Sequence, residues 1–383
     1  MPKFADRKLF FYRQFWVNDK PIKMFIKSKR TVAVAMSGGV DSSVSAMILK
    51  EKGYGVIGVS MHLLNTGQTE AKTCCSIDDI LDAKKVCVRL GIPHFVINLE
   101  EEFKTFVTRP FVSEYINGRT PNPCISCNRI LKFDILLKRI KELGAEFLAT
   151  GHYARITKNK NGQYFLLKSR NVLKDQSYVL YNLTRNSLKS IIFPVGGFDK
   201  EYTRKIALEA GFSQISNKKD SVDLCFISEG TYAEFIEKQI KLSKNKGLIK
   251  NLTGDIVGEH DGIFNYTVGQ RKGLGLPSKS PLYVVKISAD TNEIIVGNLE
   301  NCYNSELYIK DFNFINPHGG AELNKMDLTV KIRYSSPDYK CKAFVLENEE
   351  VKVLFDEPVK FITPGQSAVL YSGLKVVGGG IIS

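Results

Sequence analysis

The sequence predicts an α/β protein: a parallel sheet covered by helices on both faces, followed by a small central domain and a C-terminal β-barrel. Three observations carry this. From Thr31, short apolar runs alternate with helical stretches, as crossover units of a parallel sheet do. After about Ser228 the texture becomes lysine-rich, and then glycine-rich. Beyond about Asn301, short β-type runs dominate, as in a small closed sheet. The implied boundaries are an N-terminal extension over 1–29, a first domain over 30–228, a central domain over 229–300 and a barrel over 301–383.

In chain order, TVAVAM from Thr31 reads as a strand, a Gly/Ser turn follows, and a helix runs from Ser42 to Lys52, stopped by Gly53. YGVIGVSM is the second strand. Ser76 and Asp79 have capping-box spacing, and Ile80, Ala83, Cys87 and Leu90 recur at helical intervals until Gly91. PHFVINL is the third strand, a helix spans about Asn128 to Leu143, and FLAT leads into Gly151. Lys238, Lys241, Lys244, Lys246 and Lys250 mark a lysine-rich helical segment. In DLTVKIRY, Leu328, Val330, Ile332 and Tyr334 alternate with Thr329, Lys331 and Arg333, the period of a half-buried strand. CKAFVLE, EVKVLF, VKFIT, QSAVLYS and KVVGGGII extend the pattern.

The 383 residues are 43% hydrophobic and 25% charged, which is unlike a disordered chain, a collagen-like fibre or a small disulfide scaffold. The longest apolar stretches fall far short of the ~20 residues of a spanning helix, so no membrane association is expected. Lys+Arg 54 against Asp+Glu 40 gives +14. That excess fits a polyanionic partner, and equally a solvated basic surface. Eight cysteines without a secretory signal fit a reducing cytoplasm. The stretch up to Arg30 is basic and aromatic, as in an organellar presequence, while Met24 offers an internal start that would make the earlier part an extension.

The sharpest motif is Ser37-Gly38-Gly39-Val40-Asp41-Ser42-Ser43, between a strand and a helix start. Glycines admit close backbone approach, and a helix N-terminus presents unpaired N–H groups and a positive dipole, so the turn suits an anion. It is neither a Walker loop nor a dinucleotide fingerprint. A tight capped turn would explain one glycine and one cap but not the rest.

These residues resemble the loop of the PP-loop ATP pyrophosphatases, whose SGGxDS sequence grips the pyrophosphate released when ATP adenylates a substrate oxygen. Further motifs narrow the resemblance: Thr120-Pro121-Asn122-Pro123-Cys124 with Cys127-Asn128, Gly151-His152-Tyr153-Ala154, Lys174-Asp175-Gln176-Ser177-Tyr178, Asp223-Leu224-Cys225-Phe226-Ile227 and Gly269-Gln270-Arg271-Lys272-Gly273. In this order they resemble the tRNA-specific 2-thiouridylase family over nearly everything after Thr31.

The resemblance implies an adenine-nucleotide α-hydrolase-like first domain and a transferase that uses ATP and Mg2+ to replace the 2-oxygen of a wobble uridine in tRNA with sulfur. It implies ATP contacts at Ala35, Met36, Ser37, Gly38, Gly39, Val40, Asp41, Ser42, Met61 and Gly151. Cys127 corresponds to the nucleophile and Cys225 to the cysteine that receives a persulfide from a relay protein. The two would close into a transient disulfide after transfer. Asn122, Pro123 and Cys124 would contact the target base. His152, Lys174, Asp175, Gln176, Arg333, Tyr334 and Gln366 would contact the tRNA. Lys174, Arg333 and the Arg271-Lys272 turn have an independent rationale as phosphate contacts, though each could be an ordinary surface charge, and Tyr334 could face a core. A monomer is expected.

Cys124 departs from the family's commonest pattern, which has Asp there. A mostly neutral thiol does not replace a carboxylate base at pH 7. The change creates Cys124-x-x-Cys127, and with Cys225 the trio resembles three-cysteine sites that hold a four-iron four-sulfur cluster in related thiolases. Persulfide transfer and cluster chemistry both stand at this stage. Structural zinc lacks a fourth ligand. Cys87, Cys302 and Cys341 read as packing residues, Cys74 and Cys75 have no assigned role, and His62, His94, His260 and His318 show no metal spacing. An amidating PP-loop ligase would leave the CxxC unexplained. A non-catalytic RNA-binding protein would release no pyrophosphate.

Overall fold

A computed structural model of the chain describes residues 30–64, 77–218, 224–227, 230–240, 245–315 and 320–383. The N-terminal extension, the Cys74-Cys75 pair, the Ser76 cap, Lys241, Lys244 and His318 lie outside the described residues.

The first domain is built on five parallel strands: β1 (Thr31–Ala35), β2 (Gly55–His62), β3 (His94–Asn98), β4 (Phe147–Ala149) and, after a hairpin described below, the short β7 (Ile191–Ile192). Their spatial order is β3-β2-β1-β4-β7. Val32, Ala33 and Val34 of β1 are fully buried, as the uninterrupted apolar run requires of a strand covered on both faces. The helix Val40–Glu51 returns over the sheet, and Gly53, in the left-handed conformation, ends that turn. The helix Ile77–Leu90 buries Ile80, Ala83 and Cys87 of the apolar stripe seen in the sequence, together with Val86, while Leu90 is only half-buried. One apolar cluster lies on each face of the sheet.

The second helical layer differs from expectation at its start. Helix begins at Pro123, not near Asn128, because the Asn122 side chain accepts the Cys124 backbone N–H at 3.1 Å and Pro123 occupies the first turn. From Cys127 to Leu136 the helix widens to the π form before closing normally over Leu137–Glu142. Such widening concentrates at functional sites.

Between β4 and β7 the chain makes a hairpin, β5 (Ala154–Lys158) and β6 (Tyr164–Lys168). The central domain begins with the helix Tyr232–Ile240, and its sheet contains β8 (Gly247–Lys250), β9 (Ile256–His260), β10 (Tyr283–Ser288) and β11 (Glu293–Gly297). The expected lysine-rich helix therefore does not extend to Lys250, which lies in β8. Ile249, Ile263, Val284, Ile294 and Val296 supply its small core.

The C-terminal domain comprises β12 (Tyr303–Phe314), β13 (Leu328–Lys331), β14 (Tyr339–Val345), β15 (Val351–Lys360), β16 (Ser367–Ser372) and β17 (Lys375–Ile382). They run in the order β12-β15-β14-β13-β16-β17, and β12 pairs with β17 to close the barrel. Closure leaves no free edge within the ring. The β5–β6 hairpin of the first domain joins β17 through Lys375 opposite Leu167. Tyr178 donates its hydroxyl to the Ser367 carbonyl at 2.7 Å in the interior, and Lys168 pairs with the partly exposed Asp338 at 2.6 Å, so the two domains share polar contacts.

Candidate active site

The Ser37–Ser43 turn occupies the C-terminal edge of the parallel sheet, where open α/β sheets take ligands. Gly39 caps the following helix without a side-chain hydrogen bond, which leaves first-turn N–H groups directed at the turn. The Ser37 N–H donates to Ser42 Oγ at 3.2 Å, while Ser42 Oγ and Ser43 Oγ donate to the Gly39 carbonyl. Gly38 has φ +68, and a Cβ there would stand 2.4 Å from the Asp79 carbonyl oxygen. A Cβ on Gly151, just beyond β4, would stand 2.7 Å from Ser42 N. Both glycines are therefore demanded by backbone packed against backbone. Ala35, Gly39 and Asp41 are half-buried and Ser37 is exposed, whereas Met36, Val40, Ser42 and Met61 are buried.

Asp41 is held from two sides. Lys200 Nζ, at the start of the helix Lys200–Glu209, lies 2.9 and 2.7 Å from its two carboxylate oxygens, and the Tyr153 hydroxyl donates to Oδ1 at 2.8 Å. Lys218 reaches the Gly38 carbonyl at 3.3 Å and also pairs with Asp79 at 2.5 Å and Asp82 at 3.3 Å. Neither lysine was signalled by the sequence, because each stands more than a hundred positions from its partner. Tyr153 was visible only as part of the Gly151–Ala154 motif.

The thiols lie on the other side of this network. Cys124 is exposed, Cys127 is buried and Cys225 is half-buried. Cys127 and Cys225 pack against the same apolar cluster. Phe226 pins the Cys225 segment there, meeting Phe103, Phe111 and Phe235 at ring separations of 5.7, 5.2 and 5.2 Å. No disulfide joins Cys127 to Cys225 in this structure. Next to Cys127, Asn128 is buried and donates its amide to the Val179 carbonyl at 3.1 Å. Among the described residues no group of three or more His, Cys, Asp or Glu side chains is placed to hold a metal. The trio Cys124, Cys127 and Cys225 thus does not form a cluster site here. Cys87, Cys302 and Cys341 are buried, and burial pushes the Cys87 and Cys341 thiols up to about 12.

The two halves are connected through the Lys174–Tyr178 motif. The Gln176 N–H donates to the Tyr153 carbonyl at 2.8 Å, and the Tyr153 N–H donates to Gln176 Oε1 at 3.0 Å. Asp175 is buried, and its carboxylate accepts Ser169 N–H, Ser177 N–H and the Ser177 hydroxyl. Burial nevertheless pushes its carboxyl above the usual range. His152 lies between Phe133 and Phe193, with Nδ1 2.6 Å from Thr150 Oγ1. Burial, with Lys132 nearby, drives it well below the usual imidazole range, so the ring is neutral at pH 7.

The barrel contributes the remaining residues. Gln366 donates to the Thr120 carbonyl at 2.8 Å, bracing the segment that leads to Asn122 and Pro123. Arg333 donates to the Val268 carbonyl at 2.8 Å and to Thr363 Oγ1, which ties the central domain to the barrel. Tyr334 is 43% exposed, not core-facing as its alternation suggested, because β13 ends at Lys331 and Ser336 Oγ accepts the Ile332 and Arg333 N–H groups in a turn. Its ring lies 6.1 Å from that of Tyr178. Burial raises its hydroxyl above the usual phenol range, with Asp175 and Cys124 adding to the shift.

The fold and site define a nucleotide-binding α/β protein carrying two appended β domains. Family models match it as a tRNA methyl transferase HUP domain over residues 30–229, a tRNA methyl transferase PRC-barrel domain over 233–298 and an aminomethyltransferase beta-barrel domain over 304–382. The chain is 44% identical over 360 residues to the tRNA-specific 2-thiouridylase MnmA of Acetivibrio thermocellus, covering 93% of this chain and 99% of that relative. It is 45% identical over 355 residues to MnmA 1 of Clostridium botulinum strain Okra, with 93% and 99% covered. The chain belongs to the tRNA-specific 2-thiouridylase family.

Proposed function

We propose that this protein is an ATP-dependent tRNA-uridine 2-sulfurtransferase acting on the wobble uridine. The observation that carries the reading is the unbroken run of contacts from Asp41 through Tyr153 and Gln176 to Val179 and Asn128, beside Cys127. It ties the anion-binding turn to the thiol helix.

In the first step the uridine 2-oxygen attacks the α-phosphorus of ATP, and the bond to the β-phosphate oxygen breaks. The Val40–Glu51 helix N-terminus and the Ser37–Ser43 turn receive the departing pyrophosphate, whose charge matches the helix dipole. Mg2+ is held in such sites by one or two carboxylates and the substrate's own phosphates. Asp41 is the carboxylate of this turn, but Lys200 and the Tyr153 hydroxyl already hold its oxygens, so an ion here would be held chiefly by the nucleotide's phosphates, whose charge it would neutralise. In the second step the terminal sulfur of a Cys225 persulfide attacks C2 and AMP leaves with the original oxygen. The Cys127 thiolate then attacks Cys225 Sγ, breaking the sulfur–sulfur bond and leaving the transferred sulfur on the base. A Cys127–Cys225 disulfide results, and a dithiol reductant of the cytoplasm reopens it. The persulfide is supplied by a sulfur-relay protein.

The expected tRNA contacts divide by exposure. Cys124 and Tyr334 are exposed and Lys174 is half-buried, so these three can meet a bound tRNA; half-buried Asn122 would meet the target base, and buried Pro123 would shape the turn that carries it. Asp175, Gln176, Gln366 and Arg333 act by holding the protein surfaces that meet it, and His152 offers a neutral ring. The test is mass analysis of tRNA after incubation with ATP, Mg2+ and a persulfide source. A gain of one sulfur for one oxygen at the wobble uridine, with pyrophosphate and AMP released, supports the reading. Pyrophosphate release without tRNA, or nitrogen instead of sulfur in the product, overturns it.

A further inference from the structure

We propose that Val172 and Leu173 form an apolar wedge that contacts unstacked bases of the tRNA's single-stranded loop beside the active site. The inference rests on the tRNA reading above. Val172 is 72% and Leu173 94% exposed, the two most exposed large hydrophobic side chains among the described residues. Isolated exposed leucines are ordinary on protein surfaces, but this pair sits at the tip of a turn built to hold it. Asn171 Oδ1 accepts the Leu173 N–H at 3.1 Å, and the Lys174 N–H donates to the Asn171 carbonyl at 3.2 Å. Immediately behind the tip, the buried Asp175 carboxylate ties Ser169 to Ser177. The Ser169 hydroxyl and the Arg170 N–H both donate to the Gly196 carbonyl. The apolar tip is thus fixed before anything binds, so little conformational freedom remains to be lost on contact.

Chemistry on either side of the tip selects its partner. Arg170 and Lys174 flank the two apolar residues. An apolar tip between two cations complements a single strand, whose bases offer apolar faces and whose phosphates offer charge. Aliphatic wedges of this kind enter nucleic-acid stacks and hold bases apart. The position fits as well, because the same turn is joined through Gln176 to Tyr153, and Tyr153 to Asp41 of the nucleotide turn.

The test uses the full-length protein and an anticodon stem-loop carrying 2-aminopurine next to the target uridine. Wild type is expected to raise the 2-aminopurine fluorescence as the base unstacks. The double variant Val172→Asn with Leu173→Asn is expected to lose that rise and to bind 5- to 20-fold more weakly. Its slope of log Kd against log salt concentration should be unchanged, since no ionic contact is removed. Lys174→Ala should lower that slope by about one and keep the fluorescence rise. Leu173→Met should restore near-wild-type behaviour in the Val172 wild-type background. A double variant that binds and unstacks the base as wild type does overturns the wedge. So does one that loses only its turnover with a persulfide-carrying protein, because the tip then meets a protein. If wild type thiolates no tRNA, the underlying reading fails first, and the two failures are separable.

Discussion

Lys200 Nζ stands 2.7 Å from Asp41 Oδ2, joining the start of one helix to the first turn of another 159 positions earlier. The lysine side chain is 12% exposed and the aspartate side chain 29%, so the pair is only partly screened by water. Removing the lysine leaves Asp41 with the Tyr153 hydroxyl but without the opposing charge. Lys200→Met is therefore expected to lower stability by roughly 1–3 kcal/mol in urea unfolding. It should also slow tRNA-dependent pyrophosphate release by about tenfold or more, a loss of at least ~1.4 kcal/mol in the transition state. Lys200→Arg should recover more of the stability than of the rate, since a planar fork does not reproduce a compact ammonium.

Gly38 and Gly151 give a steric prediction. Alanine at Gly38 must hold φ +68 and push aside the Asp79 backbone, while alanine at Gly151 meets Ser42 N. Backbone cannot yield as a flexible side chain can, so each variant should lose about 1–3 kcal/mol of stability. Both should lose nucleotide binding measured with a fluorescent ATP analogue. Gly53→Ala is the control: it shares the left-handed conformation, but nothing lies within 4 Å of the added Cβ.

The two thiols should separate the half-reactions. Cys127→Ser and Cys225→Ser are expected to abolish sulfur incorporation while keeping tRNA-dependent pyrophosphate release. Phe226→Ala should weaken sulfur transfer without touching a thiol, because it removes the aromatic anchor that seats Cys225 in the core. Large-to-small changes of this type cost about 3–5 kcal/mol at a rigid site. Mass analysis of the tRNA and a pyrophosphate assay, run on the same samples, check both claims.

Stability should fall in mild acid. Burial, with Lys84 adding to it, pushes His94 down to about 4 from an ordinary value of 6.5, and Nε2 lies 2.9 Å from Ser60 Oγ. Between about pH 6.5 and 4 the unfolded chain binds a proton at this position that the folded chain refuses. Unfolding free energy therefore drops as pH falls through that window and is flat in this term above it. His152 and His260 shift in the same direction. Urea titrations from pH 7.5 to 4.5 should show the fall, and His94→Gln should make it shallower.

Much of this architecture was legible because local signals were strong. The apolar runs of β1 and β2, the glycine stops at Gly53 and Gly91, and the strand pattern beyond Asn301 all follow from short-range chemistry. The Ser37–Ser43 turn and the Cys124-x-x-Cys127 spacing were equally plain. Other features depend on contacts far apart in sequence. The β5–β6 hairpin is completed by β17, and Lys200, at a helix start, and Lys218, just past the end of another, acquire meaning only when the fold brings them to the Ser37–Ser43 turn. Tyr334 defeated its alternation because a serine-capped turn interrupts the strand before it. The helix start at Pro123 could have been read from Asn122-Pro123, a cap followed by a first-turn proline, whereas nothing local announced the π widening from Cys127.

The last strand of the barrel has a temporal consequence. Arg119 Nη2 donates to the Ile382 carbonyl at 3.2 Å, and the Thr120 N–H donates to the Pro364 carbonyl at 2.9 Å. The segment that leads to Asn122 thus leans on residues that a ribosome adds more than two hundred positions later. A nascent chain therefore lacks the buttress behind the segment that leads to Asn122, and part of the core under the first domain, until the Lys375–Ile382 strand has emerged. A substitution or truncation that disturbs the Lys375–Ile382 strand should therefore loosen the segment that leads to Asn122.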